Sequence, residues 1–251
     1  LTVTPNTIVA PNGTLTGDKL VENTASSSRN IRQVVTGLAS GATLTCSFYA
    51  KAGERTLCQA YINDNTTTAN RVQANFDLVA GTTSSQINVG TFTGATSTMT
   101  PVGNGWYRCT LTGVATGVTA VQARVFISVS SYTGDGYSGI YIWGAQLEAG
   151  SFATSYIPTT TAQVTRAADS ASMTGVNFSS WYNQAESSFV ATYSRNSDRG
   201  AGNQIPFMAS DGTGANFIAI SDGANGSSDR VLINVNGVSQ MNTGSVSYTA
   251  N

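Results

Sequence analysis

The amino-acid sequence predicts an all-β protein, in which an antiparallel β-sandwich of the jelly-roll type is followed by a second β-sandwich that we expect to be incomplete. Three observations predict this fold. Apolar and polar residues alternate with a period of two in many short segments, as they do in half-buried strands. The connectors between these segments carry Gly, Asn, Asp and Thr, and no window has a convincing helical period. Roughly eight strands at this spacing favour two packed antiparallel sheets.

The first strands of the predicted sandwich follow a turn-rich amino-terminal region. Residues 1–42 contain two short predicted strands, at 19–23 and 30–36. From Thr43 to Lys51 the alternation is clean. The residues that share its apolar face are Leu44, Cys46, Phe48 and Ala50. The same period predicts four further strands, at 58–62, 72–78, 107–111 and 121–127.

The segment Ile140–Leu147 differs from the others because apolar residues occupy both of its faces. The alternation places Ile140 and Ile142 on one face and Tyr141, Trp143, Ala145 and Leu147 on the other. A strand that is apolar on both faces is central in its sheet or lies under another element. We therefore expect this segment to be the closing strand of the first domain.

A Pro/Thr-rich segment divides the chain into two predicted domains. The first sandwich takes residues 1–150, a linker with Pro158 and three consecutive threonines takes 151–172, and a partial second sandwich takes 173–251. In the second domain, Asn236-Gly237 lies between two apolar runs. This dipeptide predicts a hairpin with a type I′ turn, because both central residues of that turn need a positive φ.

The composition narrows the classes of function. Only 10% of the 251 residues are charged, against roughly 25% in an ordinary soluble domain. Thr, Ser, Asn and Gly are abundant, which is typical of extracellular and virion β-proteins with threonine-rich strand faces. The net charge of -1 and the lack of a basic run argue against nucleic-acid binding, since phosphate contacts need clustered Lys or Arg. No apolar run approaches the roughly 20 residues of a membrane-spanning helix, so no membrane insertion is expected.

The three cysteines, Cys46, Cys58 and Cys109, have no metal-binding spacing, and the chain has no histidine. All three lie on predicted strands, where a free cysteine behaves as a small buried hydrophobe. One disulfide between two of them is the alternative. Free thiols would fit assembly in a reducing compartment such as the bacterial cytoplasm.

Several fragments of the chain resemble one known family. The most specific is YIWGAQLEAGSFATSYIPTTTAQVTRAAD at 141–169, and the others are DKLVENTASSS (18–28), SFYAKAGER (47–55), GNGWYRCTLTG (103–113) and NFSSWYNQAE (177–186). They resemble tail-fibre or tail-associated structural proteins of tailed phages. In those proteins a carbohydrate-binding-module-like jelly roll precedes a concanavalin A-like lectin domain. The chain departs from this pattern at its carboxyl end, where the lectin-like domain is expected to be partial.

The resemblance implies a non-enzymatic virion structural protein that contributes to attachment to host-surface glycans. It implies other virion proteins, further copies of the chain in a homotrimer, and bacterial surface polysaccharide as partners. The expected location is the virion, assembled in the bacterial cytoplasm. The alternative is a carbohydrate-binding accessory module of a secreted polysaccharide-degrading enzyme.

Two segments combine an aromatic plane for a sugar ring with polar groups for its hydroxyls. They are YINDN at 61–65 and SYTGDGY at 131–137. The candidate glycan-binding residues are Tyr61, Asn63, Asp64, Tyr132, Asp135 and Tyr137. In the competing interpretation Tyr61 and Tyr137 cap the edge of the sandwich and the Asn and Asp residues make turns. Trp106, Tyr107 and Trp143 lie inside strand patterns and are predicted to be core residues.

No catalytic residue is predicted. The acidic residues fall mostly at strand ends or in turns, and without histidine a Ser-His-Asp triad is impossible. The run Gly134–Gly139 fits G-x-G-x-x-G, but a predicted strand follows it where a dinucleotide site needs a helix, so a hairpin loop is expected. No cofactor is predicted. A structural calcium ion is possible, with Glu22 and Glu148 as conceivable ligands, although no EF-hand spacing exists.

Overall fold

The computed structural model describes residues 1–159, 162–165, 172–183, 186, 188–191, 204–222 and 229–246. The chain divides into two compact units, Leu1–Thr165 and Arg166–Asn251. Residues 160–161 and 166–171 of the predicted linker lie outside the described residues. Each unit is described by itself.

The first unit is built from two antiparallel sheets. Its strands are β1 (Thr2–Ile8), β2 (Gly17–Val21), β3 (Ser26–Ser27), β4 (Asn30–Thr36), β5 (Ala42–Ala52), β6 (Leu57–Asp64), β7 (Arg71–Asp77), β8 (Thr82–Val89), β9 (Phe92–Gly103), β10 (Trp106–Ala115), β11 (Ala120–Phe126), β12 (Tyr132–Thr133) and β13 (Gly139–Ala149). One sheet has six strands in the order β1-β2-β13-β5-β10-β9, and the other has five in the order β4-β11-β6-β7-β8. The short strands β3 and β12 pair with each other.

The strand pairing of the first unit is that of a jelly roll. Four antiparallel pairs are nested along the chain: β6 with β7, then β5 with β10, β4 with β11, and β2 with β13. Successive pairs alternate between the two sheets, so one long ribbon is folded over to make the sandwich. The strands β8 and β9 extend the two sheets. The predicted all-β, jelly-roll sandwich is confirmed.

The core of the first unit lies between the two sheets. It is formed by the apolar positions of the alternating segments, and at its centre Phe48 of β5 meets Phe76 of β7 edge to face with ring centroids 5.6 Å apart. Cys46, Cys58 and Cys109 are free and buried in this core, as predicted. Burial raises the pKa of the Cys46 thiol to about 12, so this thiol stays protonated.

The strand β13 lies between β2 and β5, which confirms its predicted central position. The predicted assignment of its faces is wrong beyond Trp143. The register with β5 shifts between Trp143 and Gln146, and Gly144 has a φ of 59°. This bulge inserts an extra residue and reverses the faces. Leu147 therefore pairs with Cys46 and packs against the core instead of sharing the face of Trp143.

The chain after β13 returns along the outer face of the six-stranded sheet. Tyr156 packs on Trp143 with ring centroids 4.8 Å apart. The amide of Ile157 donates to Gln146 Oε1 over 2.9 Å. Trp143 is half-buried under this returning segment and does not lie in the core. Trp106 is buried, and its Nε1 donates to the Val9 carbonyl over 3.1 Å.

The second unit contains a four-stranded antiparallel sheet in the described residues. Its elements are the short helix α1 (Val176–Ser179) and strands β14 (Gln204–Ser210), β15 (Phe217–Asp222), β16 (Asp229–Val235) and β17 (Val238–Val246), paired in chain order. The hairpin predicted at Asn236-Gly237 joins β16 to β17 with φ values of 50° and 76°. Among the described residues, no helix has the length and apolar character that crossing a bilayer requires.

Candidate functional site

The outward face of the five-stranded sheet carries an unusual set of side chains. The inward positions of β6, β7 and β11 supply the core, so the intervening residues face away from it. Antiparallel register aligns these outward residues in rows across the strands. The middle row runs Arg32, Arg124, Tyr61, Gln73, Ile87. The rows on either side run Asn30, Phe126, Gln59, Asn75, Ser84 and Val34, Gln122, Asn63, Arg71, Val89.

Tyr61 is the aromatic centre of this face. Its ring lies against Phe126 with centroids 4.6 Å apart and an interplanar angle of 51°. The guanidinium of Arg71 lies over the Tyr61 ring at 4.9 Å from its centroid. Tyr61 is half-buried and Phe126 is buried, so one ring supports the other.

The amide side chains around Tyr61 are held by hydrogen bonds within the same face. Gln59 Nε2 donates to Asn75 Oδ1 over 2.6 Å. The two arginines are oriented in the same way, since Arg71 Nε donates to Gln73 Oε1 over 2.6 Å and Arg124 Nε to Gln122 Oε1 over 2.8 Å. Fixed donors and acceptors of this kind pre-organise a polar site.

The charge of this face is positive. Arg124 and Arg32 are direct cross-strand neighbours. Burial, with a further contribution from the charge of Arg32, lowers the pKa of the Arg124 guanidinium from its ordinary value. The ion pairs of the described residues involve Lys19 and Arg55 and none of these arginines.

A groove of about 430 Å³ opens on this face. Its floor contains Gln59, Tyr61, Arg71, Arg124 and Phe126. The turn between β6 and β7 forms one wall through Thr68 and Ala69, and the segment 128–131 after β11 forms the other. An open groove with an aromatic floor, amide groups and guanidinium groups can hold a polar ring by stacking and hydrogen bonding.

The first predicted glycan-binding segment is a strand as far as Asp64, because Tyr61, Asn63 and Asp64 belong to β6. Tyr61 lines the groove, and Asn63 is buried on the same face, where its Oδ1 has no hydrogen-bond partner. Asp64 accepts from the Thr66 amide and hydroxyl, both over 2.8 Å. Burial opposes ionisation of Asp64, but these hydrogen bonds outweigh it and lower the pKa of its carboxyl. Asp64 thus makes a turn, as the competing interpretation held.

The second predicted segment contains Tyr132 in a packed position. Its ring lies between two guanidinium groups, with Arg29 at 4.7 Å and Arg55 at 4.8 Å from the ring centroid. Its hydroxyl donates to Glu22. Burial, together with the hydrogen bond to Glu22, raises the pKa of Tyr132.

Glu22 is the centre of this arrangement and is only 1% exposed. Arg55 donates to both of its carboxylate oxygens, over 2.9 Å and 2.7 Å, and the Asp135 amide donates to Oε1 over 2.7 Å. We call Glu22, Arg29, Arg55, Tyr132 and Asp135 the Glu22 lock. It ties the chain after β2 to the loop before β13.

The remaining residues of the second predicted segment make contacts that hold the loop before β13 in place. Asp135 accepts from the amides of Tyr137 and Ser138 over 2.8 Å and 2.7 Å. Tyr137 is 66% exposed, with the Lys19 ammonium 4.7 Å from its ring centroid. The glycines of the G-x-G-x-x-G run also have a packing role: a Cβ on Gly134 would lie 2.1 Å from the Asn23 carbonyl oxygen, and one on Gly139 1.9 Å from that of Leu20. A strand begins directly at Gly139, as expected.

The two predicted segments lie on opposite sides of one stretch of chain. Residues 128–130 line the groove that holds Tyr61 and also a smaller groove of about 260 Å³ that includes Tyr132, Glu54 and Arg55. The structure therefore does not join the six predicted residues into one site. It places Tyr61 and Asn63 on the sheet face, and Tyr132 and Asp135 in the lock.

The conceivable calcium ligands Glu22 and Glu148 are engaged in hydrogen bonds. Glu148 accepts from Gln146 Nε2 over 2.8 Å and from the Thr154 amide over 2.9 Å. Within the described part of the chain, no group of three or more acidic, cysteine or histidine side chains is arranged to hold a metal ion.

Acid is expected to weaken the Glu22 lock. The Arg55 guanidinium lowers the pKa of Glu22 from its ordinary value of 4.5, and the hydrogen bond from the Ser138 hydroxyl lowers the pKa of Asp135 from 3.8. Carboxyls whose pKa falls on folding stabilise the folded state fully above their unfolded pKa. We expect the contribution to disappear as the pH drops below about 4.5 towards the folded-state values.

The measurement is urea unfolding of the wild-type protein and Glu22→Gln between about pH 7 and pH 3. The difference in unfolding free energy between the two proteins should shrink as the pH falls. Other carboxyls titrate equally in both proteins. If the difference in unfolding free energy is the same at the highest and the lowest pH, the Glu22 lock is contradicted.

The sequence interpretation missed Gln59, Arg71, Gln73, Arg124 and Phe126. The sequence did contain a signal for these residues, because they occupy the positions that alternate with the apolar core residues. In β6, β7 and β11 the outward positions hold long amide, guanidinium and aromatic side chains. The chain matches no protein-family model and no curated protein.

Proposed function

We propose that the first unit is a non-catalytic glycan-binding module and that it binds sugar in the groove around Tyr61. The observation that carries the proposal is the Tyr61–Phe126 pair in the floor of an open groove, surrounded by fixed amide and guanidinium groups. Sugar rings have apolar C–H faces and polar edges. An aromatic ring covers the face, while amides reach the hydroxyls.

The protein that carries this module is, in the same proposal, a structural component of a phage particle. The resemblance of residues 141–169 and of four shorter fragments to tail-fibre and tail-associated proteins supports it, as does the low charge. In such a particle the module contributes to attachment to bacterial surface polysaccharide. Other virion proteins and further copies of the chain, in a homotrimer, are its partners.

Tyr61→Ala is expected to abolish or strongly weaken glycan binding. The variant removes the stacking surface from the centre of the groove, and loss of a central aromatic side chain typically weakens binding by about tenfold or more. The full-length wild-type protein is first tested on an array of bacterial and plant polysaccharides, and the affinity of the variants is then measured by calorimetry.

The matched comparison is Tyr137→Ala, which removes the exposed tyrosine of the other predicted segment. It should leave affinity unchanged, while Tyr61→Phe should retain most of it. Circular dichroism establishes that each variant is folded. Equal binding by wild type and Tyr61→Ala, or loss of binding in Tyr137→Ala alone, overturns the placement of the site, and no binding to any polysaccharide overturns the function.

A further inference from the structure

We infer that the sugar bound in the Tyr61 groove is acidic, and that its carboxylate is held by Arg71 and Arg124. The inference rests on the proposed function and names the class of glycan. It comes from the distribution of charge over the outward face rather than from the shape of the groove.

The three rows of outward side chains around Tyr61 contain no Asp or Glu. Arginine appears once on each of three strands, at Arg32 of β4, Arg124 of β11 and Arg71 of β7. The chain as a whole has 12 basic and 13 acidic side chains. Every charged residue in these three rows is an arginine, which contrasts with the balance of the whole chain. The acidic Asp77 lies one row further along the face, where its carboxylate accepts from the amides of Val79 and Ala80.

Both groove arginines retain donors that the fold does not use. Arg71 donates from Nε to Gln73 and from Nη1 to the Ala69 carbonyl over 3.1 Å. Arg124 donates from Nε and Nη2 to Gln122. Within the described residues, Nη2 of Arg71 and Nη1 of Arg124 have no hydrogen-bond partner. Their other nitrogens are fixed, so the free donors are pre-oriented for an incoming acceptor.

The placement of the free donors fits a carboxylated ring. Arg124 is the direct cross-strand neighbour of Tyr61, and Arg71 lies over the Tyr61 ring. Both arginines line the same groove as Tyr61, so a sugar bound beside this ring has both guanidinium groups within the groove. The guanidinium fork matches the two oxygens of a carboxylate, whereas a neutral hydroxyl uses only one donor.

An anion also relieves a repulsion that the free protein retains. Arg32 and Arg124 lie directly opposite each other on paired strands, and like charges in that position are unfavourable. The lowered pKa of Arg124 has this repulsion among its causes. A negatively charged sugar neutralises the pair, so its binding contains an electrostatic gain that a neutral sugar lacks.

The test compares acidic polysaccharides with their own neutral forms. Fragments of polygalacturonate, alginate, hyaluronan and polysialic acid are each prepared native and carboxyl-reduced, so that backbone and linkage are unchanged. Binding by the full-length protein is measured at about 50 mM and about 500 mM NaCl, since screening weakens exposed ionic contacts. Neutral polysaccharides and dextran sulfate, which is sulfated but has no carboxylate, complete the panel.

The variants are Arg124→Gln and Arg71→Gln, each with its lysine counterpart, and the control is Lys51→Gln, which removes one positive charge from the six-stranded sheet. We expect at least one native acidic fragment to bind. Its affinity should fall about tenfold on carboxyl reduction and about tenfold in each glutamine variant. Salt should weaken it, and the lysine variants should recover only part of it. Lys51→Gln should bind as the wild type does.

The contrary outcomes separate the two proposals. If neutral or carboxyl-reduced fragments bind as well as native ones, the acidic specificity is wrong and the glycan-binding function stands. If only dextran sulfate binds, the carboxylate assignment is wrong. If no polysaccharide of either kind binds, both the inference and the proposed function are overturned.

Discussion

Phe48→Ala is expected to lower the unfolding free energy of the first unit by about 3–5 kcal/mol, the usual range for removing a buried phenylalanine. Phe48 is 0% exposed and packs edge to face on Phe76, so it joins the two sheets at the centre of the core. Truncation removes apolar burial and leaves a cavity that the strand backbones on both sides cannot close.

The measurement is urea unfolding followed by the fluorescence of Trp106 and Trp143 in a Trp181→Phe background, which confines the signal to the first unit. Phe152→Ala is the matched control, because this phenylalanine is 37% exposed. Its effect should stay near about 1 kcal/mol. Equal effects of the two substitutions would contradict the position of the core.

Glu22→Gln should destabilise the first unit by about 2–3 kcal/mol, below the range for breaking a fully buried ion pair. The carboxylate of Glu22 is buried, while the Arg55 side chain is 34% exposed and is still partly hydrated when it loses its partner. The amide of glutamine keeps the shape but accepts on one side only. It therefore loses the two-pronged contact with Arg55. Its NH2 group faces N–H and O–H donors that the carboxylate accepted from.

A double-mutant cycle with Arg55→Met isolates the pair. If Glu22 and Arg55 act on each other, the double variant should cost clearly less than the sum of the single variants. Glu54→Gln is the control, because Glu54 pairs with Lys19 at a more exposed site, where the expected effect is below about 1 kcal/mol. Additive single effects of Glu22 and Arg55 would show that the lock does not depend on their contact.

The fold of the first unit could be predicted because one physical rule governs most of it. A strand with one side on the core must alternate, and the five predicted segments between Thr43 and Ile127 do so. The rule did not predict β8 and β9, whose residues are mostly exposed. The rule fails at Gly144, where a bulge adds a residue and reverses the faces of β13. Glycine permits such a bulge but also occurs in many turns. Nothing in the local sequence distinguishes the two.

The candidate site was harder to predict, because its residues come together only through strand register. Tyr61 was identified because it is an aromatic residue beside polar ones. Arg71 reaches it from the following strand, β7, and Arg124 from β11, which is distant along the chain. Tyr132 and Asp135 looked suited to sugar binding because aromatic and acidic residues are common in such loops. In the fold, buried Glu22 and two arginines engage them.

NMR mapping with the full-length protein locates the bound sugar. The acidic fragment bound by the wild type is titrated into labelled protein, and the backbone amide shifts are followed residue by residue. If the sugar binds around Tyr61, we expect shift changes along β6, β7 and β11 and in residues 128–131. Changes confined to Tyr132–Tyr137, or to the second unit, would contradict it.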